Sequence, residues 1–198
     1  MRDRSKRKGK LIIPIFIIAL MVLSVFGVMI GGLTSNQAEG IVNYNEFIFK
    51  PSNQGYAFDS AGQQYFIENN PLTVEGFYAD YPITFFEDIT SAKYSKIYID
   101  VSDDRAIEAS SKIYANMKGK LSIDFSCMPG KEDRERCSNL PIRGCSEEQD
   151  FVVVAFNSQE EKGSRYEKNC LIFEGSEGYL SGIADVFIMA HAGVFNGK

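Results

Sequence analysis

The spacing of apolar residues changes once along the chain, near residue 40. Residues 11–33 form a run of 23 residues without a charge, which as a helix would reach roughly 34 Å and cross the hydrocarbon core of a bilayer. Beyond residue 40 the apolar residues come in short groups separated by turn-forming residues, as in a folded domain. The pattern predicts a transmembrane helix at 11–33, a polar tether at 34–40 and a domain at 41–198.

Short apolar runs at residues 46–50, 55–58 and 63–67 predict a three-stranded β-meander. Residues 68–95 have no regular period and are expected to form a long loop. The alternation at 95–101, a narrow apolar stripe over 104–118 and a further run at 121–125 predict a β-α-β unit. Its strands should be parallel, and Ser102 or Asp103 is the expected N-cap of its helix.

The run at residues 151–156 is almost continuously apolar, which is typical of a central strand buried on both faces. A last strand is expected at 170–173, joined to the central strand by the charged residues 159–169 as a hairpin. Residues 179–195 predict an apolar helix half-buried on the sheet, with Asp185 as its only formal charge. The predicted fold class is therefore α+β, with a mixed sheet and a C-terminal helix.

Charge predicts the orientation of the anchor and argues against one class of partner. The first ten residues hold six of the 21 basic residues but one of the 26 acidic ones, so this tail should stay in the cytoplasm and the domain should lie outside. The apolar run is longer than that of a cleaved signal peptide, which favours an uncleaved anchor. The rest of the chain has ten more acids than bases, which disfavours binding to nucleic acid.

The four cysteines lie within the predicted extracytoplasmic domain, at Cys127, Cys137, Cys145 and Cys170. An even number of cysteines outside the cell predicts two disulfides. Three pairings are possible, and we favour Cys127 with Cys137 and Cys145 with Cys170. No C-x-x-C pair is present, which disfavours a zinc site and a thiol oxidoreductase, and no cofactor is expected.

Only one cluster of residues offers an alternative, catalytic chemistry. Asp100, Asp103 and Asp104 lie where a predicted strand meets a helix, a common place for ligands in open α/β sheets. Their oxygens could bind a divalent cation, although capping and favourable charge at the helix N-terminus explain them without a ligand. His191 is the single histidine and falls within an apolar stripe, so a structural histidine that is packed or partly exposed is expected.

The layout resembles uncharacterised single-pass membrane proteins of small-genome, DPANN-type archaea. The resemblance covers about residues 44–195 and rests on short patterns: Tyr44-Asn45-Glu46-Phe47-Ile48-Phe49, Gly55-Tyr56, Tyr65-Phe66, the strand and helix of 97–117, Cys127, Cys137, Pro141-Ile142, Cys145 and Asn169-Cys170-Leu171-Ile172. The chain departs from these proteins in lacking a tryptophan in the meander and in a longer segment at 71–88. The group has no assigned activity, so the resemblance implies placement and architecture only.

Taken together, these features predict a single-pass protein of the cell membrane, inserted through residues 11–33. Its outer domain is expected to be a non-catalytic protein-interaction or assembly module of the envelope, with a protein partner or self-association. One alternative is a divalent-cation-dependent envelope enzyme that uses Asp100, Asp103 and Asp104, with substrate bound by residues 71–88. A less favoured alternative is a thiol-disulfide exchange protein.

Overall fold

The structure is a computed structural model that describes residues 40–82, 94–146 and 150–195. The chain divides after Ile41, and the fold below is that of the second unit, Val42–Lys198. The predicted cytoplasmic tail and transmembrane helix fall outside the described residues, as does the predicted tether except for Gly40. Within the described ranges, no helix combines the length and the hydropathy needed to cross a bilayer.

The N-terminal part of the domain is an antiparallel sheet of four strands. They are β1 (Val42–Tyr44), β2 (Phe47–Ser52), β3 (Gly55–Ser60) and β4 (Gln63–Ile67), paired in chain order. The prediction of three strands missed β1. Asn45 and Glu46 have φ of 46° and 68°, which makes a two-residue turn of the kind that joins tightly paired strands. Glu46 therefore belongs to this turn and not to a strand.

The helix α1 (Pro71–Tyr78) occupies part of the segment that was expected to be an irregular loop. Asn70 caps it by accepting a hydrogen bond from the backbone N–H of Leu72 at 3.0 Å. Pro71 stands at the start of the helix, where its missing N–H costs little. The expectation of a continuous loop was therefore wrong for these residues, and residues 83–93 of the same segment lie outside the described ranges.

The second sheet has five strands in the order β6-β5-β7-β9-β8. Their bounds are β5 (Lys96–Asp100), β6 (Ile123–Ser126), β7 (Phe151–Ser158), β8 (Gly163–Glu167) and β9 (Cys170–Gly175). The helix α2 (Ile107–Met117) connects the parallel strands β5 and β6, which confirms the predicted β-α-β unit. β7 is the central strand, as its apolar sequence indicated.

Two local expectations for this sheet were wrong. β7 pairs with β9 in parallel, not as a hairpin, because the charged segment between them contains β8, which is antiparallel to β9. β8 was missed because it is an edge strand whose Ser164 and Arg165 are exposed. The cap of α2 is Ala106 and makes no side-chain hydrogen bond, because Ser102 and Asp103 bond elsewhere.

The third α-helix in the described residues, α3 (Glu177–His191), packs against strands of both sheets and against α1 and α2. Every residue from 179 to 190 except Ser181 is buried. The helix was expected to be half-buried, but a helix that is apolar on all sides suits a position with neighbours all round. The domain is α+β, as predicted, with α3 at its core.

Candidate functional site

The domain contains both predicted disulfides. Cys127 bonds to Cys137 and Cys145 to Cys170, with Cα–Cα distances of 5.8 and 5.3 Å. This is the pairing that the sequence favoured. Cys127, Cys137 and Cys170 are buried, which does not favour thiol-disulfide exchange, because that reaction requires an accessible sulfur.

Residues 127–146, which we call the stapled loop, pack on the face of the second sheet that points away from α2 and α3. Met128 and Cys145 contact a separate apolar cluster on that face, which includes Tyr98, Val153 and Ile172. The neighbouring residues Ile97 and Ile99 point the other way, into the main core with the helices. The Cys145–Cys170 disulfide therefore attaches the loop to a sheet face that no described helix covers, and Cys127–Cys137 closes the loop on itself.

Asp100 is a buried carboxyl group with partners of its own. It accepts hydrogen bonds from the backbone N–H of Ser102 at 3.1 Å, the Ser102 hydroxyl at 2.8 Å and the backbone N–H of Met128 at 3.1 Å. Burial raises the pKa of Asp100, and these hydrogen bonds partly oppose that shift. The group holds the ends of β5 and β6 together.

Asp103 and Asp104 each bind partners different from those of Asp100. Asp103 accepts hydrogen bonds from the backbone N–H groups of Arg105 at 2.9 Å and Ser158 at 2.8 Å. Asp104 forms ion pairs with two arginines of the stapled loop, Arg134 and Arg136. Within residues 40–82, 94–146 and 150–195, no group of three or more His, Cys, Asp or Glu is arranged to hold a metal ion.

At the carboxyl ends of β5 and β7, the connection that follows β5 leads towards one edge of the sheet, and the connection that follows β7 leads towards the other edge. Open α/β sheets commonly bind ligands at such a point. Here the protein's own side chains bridge the two strand ends. Arg105 donates to the Ser158 carbonyl at 3.0 Å, and Asp103 accepts a hydrogen bond from the Ser158 N–H. A cavity of about 450 Å³ remains beside them, with Lys131 and Arg134 in its wall.

A second cavity, of about 620 Å³, lies between the first sheet and α2, and we call it the α2 groove. The turn between β2 and β3, the end of β4 and one face of α2 form its walls. Most of its side chains are polar, and Phe66 provides an apolar wall. The polar residues that line it are Asn53, Gln54, Glu68, Glu108, Ser111, Lys112 and Asn116.

Side chains on and just beyond α2 cover the outer edge of β4. Asn116 accepts a hydrogen bond from the backbone N–H of Phe66 at 2.7 Å, and Lys120 donates to the backbone carbonyl of Gln64 at 2.8 Å. Groups that an added strand would need are thus already bonded. The groove is therefore suited to contacts with side chains and not to extension of the sheet.

Lys112 connects the groove to the core. Its Nζ lies 2.7 Å from Glu68 Oε2, 2.6 Å from Ser181 Oγ and 3.1 Å from Asp185 Oδ1. Asp185 is fully buried, whereas the Glu68 side chain is 51% exposed. Hydrogen bonds from Lys112 and Ser181 lower the pKa of Glu68. Burial raises the pKa of Asp185, and Lys112 and Asn69 oppose the rise.

The distance between Ser181 and Lys112 is one at which a lysine could activate a serine nucleophile, which requires a neutral amine to act as base. Here Nζ instead donates hydrogen bonds to Glu68, to Asp185 and to the Ser181 hydroxyl itself. The Ser181 hydroxyl donates to Glu68 Oε2 at 2.5 Å, so its proton points away from Lys112. This arrangement can fix and recognise groups, but it does not supply a base for Ser181.

The α2 groove could not be predicted from the sequence, because its walls come from separate stretches of chain. One signal was present. Asp185 is the only charged residue in an apolar segment, and a buried carboxylate needs a charged or hydrogen-bonding partner. That signal predicts a partner for Asp185 without identifying Lys112.

Comparison with other proteins adds no assignment to these sites. No protein-family model, no curated protein and no solved structure matches the chain.

Proposed function

We propose that the chain is a single-pass membrane protein whose domain lies outside the cell and acts as a non-catalytic binding module. The partner is a protein segment held in the α2 groove. The observation that carries the non-catalytic part of this proposal is the double pairing of Lys112 with Glu68 and Asp185, at 2.7 and 3.1 Å. Lys112 Nζ, which also contacts the Ser181 hydroxyl, is thereby held in a network with two acidic side chains.

The lining of the groove suits recognition of a polypeptide. Amide side chains of Asn53, Gln54 and Asn116 can both donate and accept hydrogen bonds, as the peptide groups of a partner do. Phe66 offers apolar surface beside them. Because Asn116 and Lys112 are held by bonds within the domain, little side-chain freedom is lost on binding, which favours affinity.

Site-specific photo-crosslinking in the full-length, membrane-inserted chain tests the groove. The crosslinking amino acid is placed at Ser111, an exposed residue of the groove, and separately at Lys131, an exposed residue beside the other cavity. We expect a defined protein adduct from position 111 and none from position 131. An adduct from position 131 alone would place the partner at the carboxyl edge of the second sheet and overturn the groove as the binding site.

A serine-directed phosphonate probe tests the absence of catalysis at the groove. We expect no covalent adduct on Ser181, because Lys112 Nζ donates to the Ser181 hydroxyl and the hydroxyl donates its own proton to Glu68. The matched control is the same treatment of Ser181→Ala. Labelling of the unaltered chain that disappears in this variant would show an activated nucleophile and contradict the non-catalytic assignment.

The location is tested by proteolysis of intact cells that express the full chain. A domain outside the membrane should be digested without lysis, and its four cysteines should resist alkylation until they are reduced. Protection from protease together with four alkylated cysteines would place the domain in the cytoplasm. That result would contradict the proposed location outside the cell. It would not affect the proposed binding site in the α2 groove, which the crosslinking experiment tests.

A further inference from the structure

Arg143 lies in the stapled loop and contacts two aromatic rings of the second sheet. Its guanidinium carbon is 4.9 Å from the centre of the Tyr98 ring and 5.3 Å from that of Phe151. The two rings meet edge to face, with their centres 5.3 Å apart. A guanidinium over aromatic faces gains a cation–π attraction and is held in one orientation.

No carboxylate neutralises Arg143 among the residues that the structure describes. Among the other described arginines, Arg134 and Arg136 pair with Asp104 and Arg165 pairs with Glu174, whereas Arg105 binds a backbone carbonyl. Within the described ranges, the Arg143 guanidinium makes one hydrogen bond, to the Tyr98 hydroxyl, and it is long, at 3.4 Å.

Arg143 also has a buried nitrogen, Nε, without a hydrogen-bond partner in the described structure. A buried donor of this kind is costly, and each instance calls for an explanation. An anion bound at the guanidinium would neutralise the positive charge and offer oxygen acceptors to its donors. The residue is half-buried, so part of its side chain remains open to solvent.

The backbone around Arg143 is fixed before any ligand arrives. The Arg143 N–H donates to the Cys127 carbonyl at 2.9 Å, and the Cys127 N–H donates to the Pro141 carbonyl at 3.1 Å. Cys127 and Cys145, on either side of this segment, are both in disulfides. The stapled loop thus presents the guanidinium in a set position, which reduces the entropy that binding would cost.

We propose that Arg143, together with the Tyr98 hydroxyl, is a binding site for a single small oxyanion. The guanidinium fork matches the oxygens of a carboxylate or a phosphate. Tyr98 accepts a hydrogen bond from Arg143, which leaves its own O–H free to donate to the ligand. The site lies on the sheet face opposite α2, so it is independent of the α2 groove.

Charge around the site sets the size of the ligand. Lys96 Nζ is 5.1 Å from the centre of the Tyr98 ring and forms an ion pair with Asp124 at 2.6 Å. Among the described residues, Arg143 therefore differs from Lys96 in having no carboxylate within ion-pair distance. Since the domain as a whole is acidic, a long polyanion is repelled by the surroundings, whereas one oxyanion meets only the local positive charge.

Titration of the full-length, oxidised chain in detergent micelles tests this site. The probes are inorganic phosphate and N-acetylglutamate amide, with N-acetylglutamine amide as the neutral control. The readout is the NMR resonance of the Arg143 Nε–H, assigned by its loss in Arg143→Lys. We expect a saturable shift with a dissociation constant on the order of 1 mM, an affinity reasonable for a single small anion.

The two probes separate the sources of the oxyanion. Saturation by the glutamate derivative indicates a carboxylate on a polypeptide, and saturation by phosphate alone indicates a free oxyanion; either supports the site. Calorimetry should show a loss of at least tenfold in Arg143→Gln and none in Arg165→Gln, a matched loss of an arginine that pairs with Glu174. If Arg143→Gln does not fold, Arg143→Lys with both disulfides intact should still bind more weakly.

Two results would overturn the proposal. One is the absence of any saturable shift with either charged probe. The other is unchanged affinity in Arg143→Lys and Arg143→Gln, which would place the anion elsewhere on the domain. Neither result bears on the α2 groove, because crosslinking at Ser111 is read separately.

Discussion

Asp185 Oδ2 accepts two hydrogen bonds from Asn69, one from its backbone N–H at 2.9 Å and one from its side-chain amide at 2.8 Å. The carboxyl group lies in the centre of α3, and Asn69 lies in the connection between β4 and α1. A buried charge with several partners holds separate parts of a chain in one arrangement. Lys112 completes the network from α2, so one carboxyl group joins three segments.

Removal of the Lys112 charge should destabilise the domain strongly. Lys112→Met keeps most of the aliphatic stem but leaves Asp185 buried without its cation, and breaking a buried pair in this way typically costs about 3–5 kcal/mol. Glu68→Gln removes the other carboxylate from the same lysine. Because the Glu68 side chain is 51% exposed, its loss should cost no more than about 1 kcal/mol.

Urea unfolding of the two variants, followed by circular dichroism, measures this contrast. Ser181→Ala is the control for the loss of the hydroxyl, and its free energy of unfolding should be close to that of Glu68→Gln. Equal losses for Lys112→Met and Glu68→Gln would show that Asp185 does not depend on Lys112. The fixed network at the groove would then need another explanation.

The sequence predicted the features that local patterns determine. The apolar run at 151–156 is β7 at the centre of its sheet, and the stripe at 104–118 is α2. Even the disulfide framework followed from the number of cysteines and their predicted location. For the strand and the helix, the signal is contained in one short stretch of chain.

The elements that were missed depend on contacts between stretches. β1 has three residues and is defined by pairing with β2 through the turn at Asn45 and Glu46. α1 contains Thr73, Val74 and Gly76 in eight residues, which gives it weak helix propensity. It packs against α3, and such tertiary contacts override propensity without leaving a periodic pattern.

The close contact between α1 and α3 predicts the effect of adding a methyl group. A Cβ at Gly182 would lie 2.7–2.8 Å from ring atoms of Phe77, which is too close for carbon atoms. Gly182→Ala should therefore destabilise the domain by about 1–3 kcal/mol, the usual cost of overpacking. The measurement is the free energy of unfolding in urea.

Gly178→Ala is the matched control on the same helix. A Cβ there meets nothing within 4 Å, so this variant should be neutral or more stable by up to about 1 kcal/mol, because alanine favours helix over glycine. Phe77→Leu should recover part of the loss in Gly182→Ala. If the two glycine variants were equally stable, the contact between Gly182 and Phe77 would not limit the packing of α3.

The two disulfides should differ in how much they stabilise the domain. Their cysteines are separated by 10 and 25 residues, and a longer loop loses more entropy when it is closed in the unfolded chain. Replacing Cys127 and Cys137 by serine should cost about 2.7 kcal/mol, and replacing Cys145 and Cys170 about 3.5 kcal/mol. Urea unfolding of both double variants measures which disulfide stabilises the domain more. A larger loss for the Cys127–Cys137 pair would show that contacts in the folded state outweigh chain entropy.

His191 should make the stability of the domain depend on pH. It is half-buried at the end of α3, and burial together with the nearby charge of Lys120 lowers its pKa below 6.5. The unfolded chain therefore binds the proton more readily than the folded domain. The stability linked to neutral His191 is fully present above pH 6.5, and it is lost as the pH decreases through the lower pKa of the folded state.

His191→Gln isolates this effect, because the variant cannot be protonated at that position. Burial raises the pKa values of Asp100 and Asp185, so these groups act in the opposite direction, with stability falling as pH increases above 3.8. They are present in both proteins and cancel when the two unfolding free energies are subtracted. The advantage of the unaltered chain over His191→Gln should therefore shrink from about pH 8 to about pH 5, and a constant difference would mean that His191 is equally basic in the folded and unfolded states.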